Sequence, residues 1–289
     1  MSELRSAVVV GGNRTPFARA GGPYARASNQ DMLTAALNGL VARFGLAGER
    51  LDEVAAGAVM KHSRDFNLAR ESVLGSALSP LTPACDLQQA CGTSLEAVIY
   101  ISNKIRLGQA DVGVAGGADS ASDAPIVVSE GLRRALLALK GAKTWQQKLK
   151  ALSGLRPGDI VPVPPTVDEP RTGLSMGESQ ALTTKKWGIT REAQDELAAA
   201  SHHNLARAWS EGFFDDLVTP YLKLSRDQNL RPDTSVEKLG ALKTVFGREG
   251  ATMTAGNSTP LSDGAAVVLL AEEGHARARN WPVLARVVD

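Results

Sequence analysis

The residues best suited to chemistry are Gln88-Gln89-Ala90-Cys91-Gly92-Thr93-Ser94-Leu95-Glu96-Ala97-Val98, where one cysteine falls between an apolar, strand-like segment and a helix. Residues 83–87 read as a short strand, and from Ser94 the apolar residues Leu95, Val98, Ile99, Ile101 and Ile105 recur at spacings that mostly suit a helix. Cys91 therefore belongs to the turn entering that helix. Unpaired amides and the positive end of the helix dipole favour an anion there, hence thiolate over thiol. Gly92, lacking a Cβ, permits a sharp turn and lets a substrate carbonyl approach main-chain amides that could stabilise an oxyanion. A nucleophile is one reading of Cys91; a buried structural thiol is the other.

A second candidate is the loop Thr252-Met253-Thr254-Ala255-Gly256-Asn257-Ser258-Thr259-Pro260-Leu261-Ser262-Asp263-Gly264, dense in small and hydroxyl residues ahead of a strand at 265–270. It reads either as a polar surface turn or as the wall of a pocket offering amides and hydroxyls to an extended polar ligand.

The elements that must position these residues alternate over the first 120 positions: strands at 7–10, 54–59, 83–87 and 112–118, helices at 31–44, 68–78 and 94–107. Such alternation predicts βαβ units and a mostly parallel sheet covered on both faces. The run Val112-Gly113-Val114-Ala115-Gly116-Gly117-Ala118-Asp119 is expected to be a central strand ending in a glycine-rich turn, with no dinucleotide or phosphate-loop spacing. From about 120 to 245 the pattern changes to helices and proline-rich connections, which reads as a large insertion, extended and irregular around 157–170. A helix over 191–209 follows, with Thr190 as its expected N-cap. Between Arg133 and Arg156 there are seven basic residues and no acidic ones, with Trp145, Leu149 and Leu152 on one helical face. That segment is either a solvated surface helix with its apolar side packed, or a contact for an acidic partner, a membrane surface or the phosphates of a large anionic substrate.

Composition narrows the class. The 289 residues are 43% hydrophobic, 22% charged and only 4% aromatic, which describes a globular chain with close backbone packing. A net charge of +1 supplies no global reason to expect nucleic acid. The two cysteines, Cys85 and Cys91, match neither a metal-ligand nor a C-x-x-C pattern, so no metal and a reducing compartment are expected. Met1-Ser2-Glu3-Leu4-Arg5 leads into the first strand without the apolar region of a signal peptide, and a cytoplasmic location is expected.

Five segments in order then resemble the thiolase family: Arg14-Thr15-Pro16-Phe17, the Cys91 turn, Gly116-Gly117-Ala118-Asp119-Ser120, Met176-Gly177-Glu178, and Thr254-Ala255-Gly256-Asn257. The resemblance spans nearly the whole chain and implies a nucleophilic ancestry for Cys91. It implies an α/β fold with a mixed five-stranded sheet sandwiched by helices. The expected division is an N-terminal domain of 1–120 plus 246–280, an inserted loop domain of 121–245, and 281–289 as the start of a C-terminal half. Phe66-Asn67-Leu68-Ala69-Arg70-Glu71 and Val161-Pro162-Val163-Pro164-Pro165 look like the fatty-acid-oxidation branch, which pairs with a multifunctional hydratase and dehydrogenase subunit and cleaves medium- and long-chain 3-ketoacyl-CoA.

The chemistry so implied is thiolysis. Cys91 thiolate attacks the 3-keto carbon, acetyl-CoA leaves as its enolate, and CoA, a substrate and not a cofactor, then takes the acyl group. By residue-wise match Met176 and the Ser258-Thr259 pair contact the pantetheine arm, while Arg231 and Phe246 lie near the nucleotide. Ordinary alternatives are core positions for Met176 and Phe246 and a surface charge for Arg231. A homodimer or larger assembly is implied by the family. Its second half carries an Asn- or His-Glu-Ala-Phe segment, a Gly-His-Pro segment and a second cysteine; none occurs in these residues, so negligible turnover is expected of this chain alone. Rival readings are a biosynthetic acetoacetyl-CoA thiolase or condensing enzyme, and a non-catalytic CoA-binding or partner-docking module.

Overall fold

The computed structural model describes residues 4–166, 168–247 and 250–288; Met1, Ser2 and Glu3 of the opening segment, Val167, Arg248, Glu249 and Asp289, all of which fall within the expected domain ranges, lie outside the described residues. The contacts define two compact units, 1–123 with 177–289, and 124–176.

In the first unit the elements run β1 (Ala7–Arg14), β2 (Ala18–Arg19), α1 (Asn29–Phe44), β3 (Glu53–Gly57), α2 (Leu68–Leu74), β4 (Ala84–Asp86), α3 (Thr93–Arg106) and β5 (Val112–Ser120). The unit of 124–176 holds α4 (Glu130–Gly141) and α5 (Trp145–Leu152). Beyond it come α6 (Met176–Trp187), α7 (Arg191–Ser210), α8 (Val236–Gly240), β6 (Thr244–Phe246), β7 (Met253–Thr254), β8 (Ser262–Glu272), α9 (Glu273–Ala278) and β9 (Ala285–Arg286). Local chemistry sets several of these limits. Ser28 and Asp31 form a capping box at the start of α1, and Gly45, at φ 65°, ends that helix in the left-handed conformation. Thr190 caps α7 by accepting the Ala193 amide, as its position predicts.

The sheet has the order β4-β3-β5-β8-β1-β9, with the two-residue β2 added along β8. Its five longer strands form the mixed sheet implied by the resemblance. Parallel pairing, expected for most of the sheet from the alternation, holds among the described strands for β4, β3 and β5 alone. β8 is antiparallel to both β5 and β1, with Ser120 opposite Asp263 and Ala7 opposite Glu272. The expected glycine-rich turn is also corrected, because Gly116 and Gly117 lie inside β5. A Cβ on Gly116 would overlap the Ala266 carbonyl oxygen of β8, so glycine is what allows those backbones to approach.

Successive strand residues face opposite ways. Val54, Val114 and Leu269 join Met32, Leu37 and Leu68 in a large core under α1 and α2. Ala55, Ala115 and Leu270 meet Ala97, Ile101 and Ile105 of α3 in a smaller one on the other face. The outward side of α3 is bare at Leu95.

A nearly buried ion pair ties residues 14–19 to 227–229. Arg14 donates from both terminal nitrogens to Asp227 at 2.7 Å, with side-chain exposures of 13% and 6%. Its guanidinium also lies 4.7 Å from the Phe17 ring centre and 5.0 Å from that of Phe214. The Phe17 amide donates to Asp227, and Thr15 exchanges main-chain and side-chain hydrogen bonds with Ala265.

Within 124–176, α4 and α5 carry the basic segment. Trp145, Leu149 and Leu152 are exposed, Trp145 at 67%, so the apolar side is not packed home within this unit. No described helix is long and apolar enough to cross a membrane.

Asp227→Ala leaves the Arg14 charge in a nearly dry site without its partner. The expected loss is about 3–5 kcal/mol of unfolding free energy, measured by urea titration of both proteins. A loss below about 1 kcal/mol would show that the pair does not hold these segments together.

Candidate functional site

The turn carrying Cys91 is built by three close approaches. Gly57 ends β3, and a Cβ there would overlap the Leu87 carbonyl oxygen and crowd the Thr93 methyl at 2.7 Å. Gly117 lies beside it in β5, where a Cβ would stand 2.6 Å from the Ser94 hydroxyl. Two glycines in register therefore make room for the N-terminus of α3. Thr93 knots the turn: its buried hydroxyl accepts the Gln89 amide at 2.9 Å and donates to the Ala90 carbonyl at 2.7 Å. Ala90 is held at φ 45°, unusual for a residue with a side chain. Strain of this kind, worth about 1–3 kcal/mol, persists only where surroundings over-determine it.

Cys91 leaves this turn exposed, so the alternative of a buried structural thiol is excluded. Gly92 is the N-cap of α3 and provides no side-chain cap, leaving the helix entrance open to another group. Nearby, Gln88 donates to the Val59 carbonyl at 3.4 Å, and Asp119 accepts the Val59 and Met60 amides at 2.9 and 3.0 Å. Burial raises the Asp119 carboxyl above its ordinary value, with those two amides opposing the shift. The Gly116-to-Ser120 segment thus braces the loop beside Cys91.

Cys85 has the opposite environment. It is half-buried on β4, and burial, followed by the neighbouring Glu53 carboxylate, pushes its thiol pKa up. Phe66 is exposed, whereas Asp86 accepts the Leu68 and Ala69 amides and pairs with Lys61 at 3.1 Å. Arg70 in turn donates to the Thr82 and Pro80 carbonyls. The segment around Phe66 to Glu71 therefore anchors α2 to the strand leading to Cys91.

A cleft of about 770 Å³ lies elsewhere in the first unit, lined by Arg231, Ser258, Arg19, His202, Lys238 and Leu239 among others. Its polar wall is cationic: Lys238 contacts Asp233 at 3.1 Å, while among the described residues neither Arg19 nor Arg231 forms an ion pair. Leu239, Leu242, Pro260 and Leu261 supply an apolar wall. A Cβ on Gly256 would stand 2.5 Å from both Leu239 and Leu242, so glycine lets α8 close on this loop. Asn257 staples the loop from within, accepting the Thr254 amide at 2.7 Å and donating to Asp195 at 2.9 Å. Such a cleft suits an extended ligand with an anionic end and an apolar or amide-bearing arm.

The predicted residues are thus only partly assembled. Arg231 and Ser258 share the cleft, and the buried Ser258 hydroxyl has no hydrogen-bond partner among the described residues. Thr259 is exposed and is not among the lining residues, nor are Cys91, Met176 and Phe246. Met176 is 67% exposed as the first residue of α6, so its core alternative is excluded. Phe246 lies on β6, its ring filling the space a Cβ on Gly177 would need. Sequence reasoning missed Arg19, His202, His203, Asp195 and Lys238. The described residues contain no group of three or more metal-ligating side chains.

The description "Thiolase, N-terminal domain" matches residues 7–274, and the chain belongs to the thiolase family. It is similar to the 3-ketoacyl-CoA thiolase of Pectobacterium carotovorum subsp. carotovorum, 44% identical over 274 residues covering 93% of this chain and 63% of that protein. The 3-ketoacyl-CoA thiolase of Yersinia pestis is 40% identical over 283 residues, covering 96% of this chain and 65% of its own length. The chain therefore spans less than two thirds of the length of these curated relatives. Among solved structures, Bacillus anthracis acetyl-CoA acetyltransferase superposes with a TM-score of 0.81 at 26% identity, covering 100% of this chain and 71% of that one. Human mitochondrial 3-ketoacyl-CoA thiolase in complex with CoA does so with a TM-score of 0.79 at 26% identity and the same coverage.

The two thiols should separate in reactivity. Iodoacetamide at neutral pH is expected to alkylate Cys91 at least about tenfold faster than Cys85, read by peptide mass mapping. Equal rates would mean that the turn confers no advantage.

Proposed function

We propose that this chain is the nucleophile-bearing portion of a 3-ketoacyl-CoA thiolase, with Cys91 forming the acyl-enzyme and the cationic cleft holding CoA. The observation that carries the reading is the exposed Cys91 in a strained, Thr93-knotted turn at an uncapped helix entrance. Cys91 thiolate adds to the 3-keto carbonyl, the C–C bond breaks to release acetyl-CoA as its enolate, and the enolate takes a proton; CoA thiolate then displaces the cysteine. Amides at the start of α3 are suited to the oxyanion that forms on addition.

The acid–base groups are a separate matter. All four histidines have other neighbours: His62 the Asp123 carbonyl, His202 the Arg231 amide, His203 the Thr234 carbonyl, and His275 the Trp281 ring. Negligible turnover by these 289 residues alone is the consequence, since loss of general acid–base catalysis commonly costs about 10²–10⁴ in rate. This also favours a second reading, a CoA-binding module without catalysis.

Finer features belong to the same proposal. The substrates are medium- and long-chain 3-ketoacyl-CoA, in the degradative direction of fatty-acid oxidation. The working assembly is a homodimer or larger, paired with a hydratase and dehydrogenase subunit, in the cytoplasm. The names of the Pectobacterium and Yersinia relatives support the substrate class. The exposed Trp145, Leu149 and Leu152 support a surface contact through 133–156, with a membrane or partner subunit.

The test is acyl transfer. Incubation with 3-ketoacyl-CoA of graded chain length, followed by intact-mass and peptide analysis, should show an acyl adduct on Cys91 in the catalytically complete protein. Cys91→Ala should lower acetyl-CoA release by more than about 1000-fold. Release within about tenfold of the parent would remove Cys91 from the mechanism, and CoA binding without any adduct would favour the module.

A further inference from the structure

Two adjacent histidines of α7 grip one turn of the cleft wall. Arg231-Pro232-Asp233-Thr234 closes with the Thr234 amide donating to the Arg231 carbonyl at 3.2 Å, and proline at its second position presets the backbone. The Arg231 amide donates to Nδ1 of His202 at 3.3 Å. Nε2 of His203 lies 2.7 Å from the Thr234 carbonyl, which can only accept, so this nitrogen carries a proton. Neighbouring side chains on a helix project about 100° apart. One turn that meets both, one at each end, has its orientation set as well as its distance. Arg231, Asp233, Thr234 and His202 all line the cleft, and the Arg231 guanidinium has no ion-pair partner among the described residues.

We propose that His202 and His203 are positioning residues, which hold the Arg231–Thr234 turn so that Arg231 is presented to an anionic phosphate group at the nucleotide end of the ligand. The proposal rests on the assignment of the cleft to CoA. His202 can accept the Arg231 amide only as a neutral ring with its proton on Nε2. Burial, then the Arg231 and His203 charges, hold its pKa below the ordinary imidazole value, so the accepting form dominates at neutral pH. The charged groups sharing the cleft with His202 are Arg231, Asp233, Lys238 and Arg19, and His203 adjoins it on its own helix. Protonation would set two donors against each other and release the turn.

Calorimetry with CoA and with pantetheine, which lacks the nucleotide, tests this on the 289-residue chain. His202→Leu is expected to weaken CoA binding about fivefold, the effect of roughly one neutral hydrogen bond, and to leave pantetheine binding unchanged. His202→Asn, whose side-chain oxygen replaces Nδ1, and His203→Gln, whose amide nitrogen replaces Nε2, should stay within about twofold of the parent. On acidification through and below the ordinary imidazole range, CoA affinity of the parent should fall more steeply than that of His202→Asn. If the parent binds CoA while His202→Leu matches it, or loses pantetheine as much as CoA, the positioning role is wrong and the CoA cleft stands. If the parent binds no CoA, the cleft assignment and the proposal fall together.

Discussion

The whole sheet depends on one late strand. β8 arrives about 140 residues after β5 in sequence and lies between β5 and β1, antiparallel to both. Until it is in place, β1 has no neighbour linking it to the β4-β3-β5 group, and the apolar residues on both faces of the sheet cannot close over α1 and α3. Closing so long a loop costs entropy before any contact repays it, so the reward is concentrated where β8 lies. Val267 and Leu269 enter one core and Leu270 the other, and Asp263 at the near end accepts the Ser122 amide and hydroxyl.

The same insertion builds the cleft. The loop ahead of β8 brings Ser258, Pro260 and Leu261 into the wall, and its register places Ser262 where Asn229 can donate to it at 2.9 Å. Asn229 also accepts from Arg19, and two residues earlier Asp227 takes both donors of Arg14. The Arg14-to-Phe17 segment, which the sequence marks as a signature, therefore clamps Asp227 and Gln228, a few residues ahead of Arg231.

The Cys91 turn is legible in the sequence because its signals are local: a strand, a small residue and an amphipathic helix in succession. Exposure of the thiol is not legible there, since a half-buried and an exposed cysteine share the same local pattern; Cys85 and Cys91 sit six residues apart with opposite environments. The glycines of β5 mislead in a specific way. Gly116 and Gly117 read as a turn because glycine usually marks one, but they serve a crowded backbone against β8 and the entrance of α3. The hydroxyl loop is rightly singled out, while Arg19 and His202 carry no signal until the chain brings them to one cleft, and His203 none until it meets the Thr234 carbonyl.

By itself the sequence determined most of the elements of the first 120 residues, the Thr190 cap, the strand-to-helix turn at Cys91 and the family, because these rest on interactions within a short stretch of chain or on motifs that keep their order along it. The tertiary structure alone decided the antiparallel course of β8, the exposure of Cys91 and Met176, the sharing of one cleft by Arg231 and Ser258, and the grip of two histidines on one turn. The physical reason is common to all of these. Each depends on which surfaces meet across long sequence separations, and burial and hydrogen-bond satisfaction exist only once those surfaces are in contact.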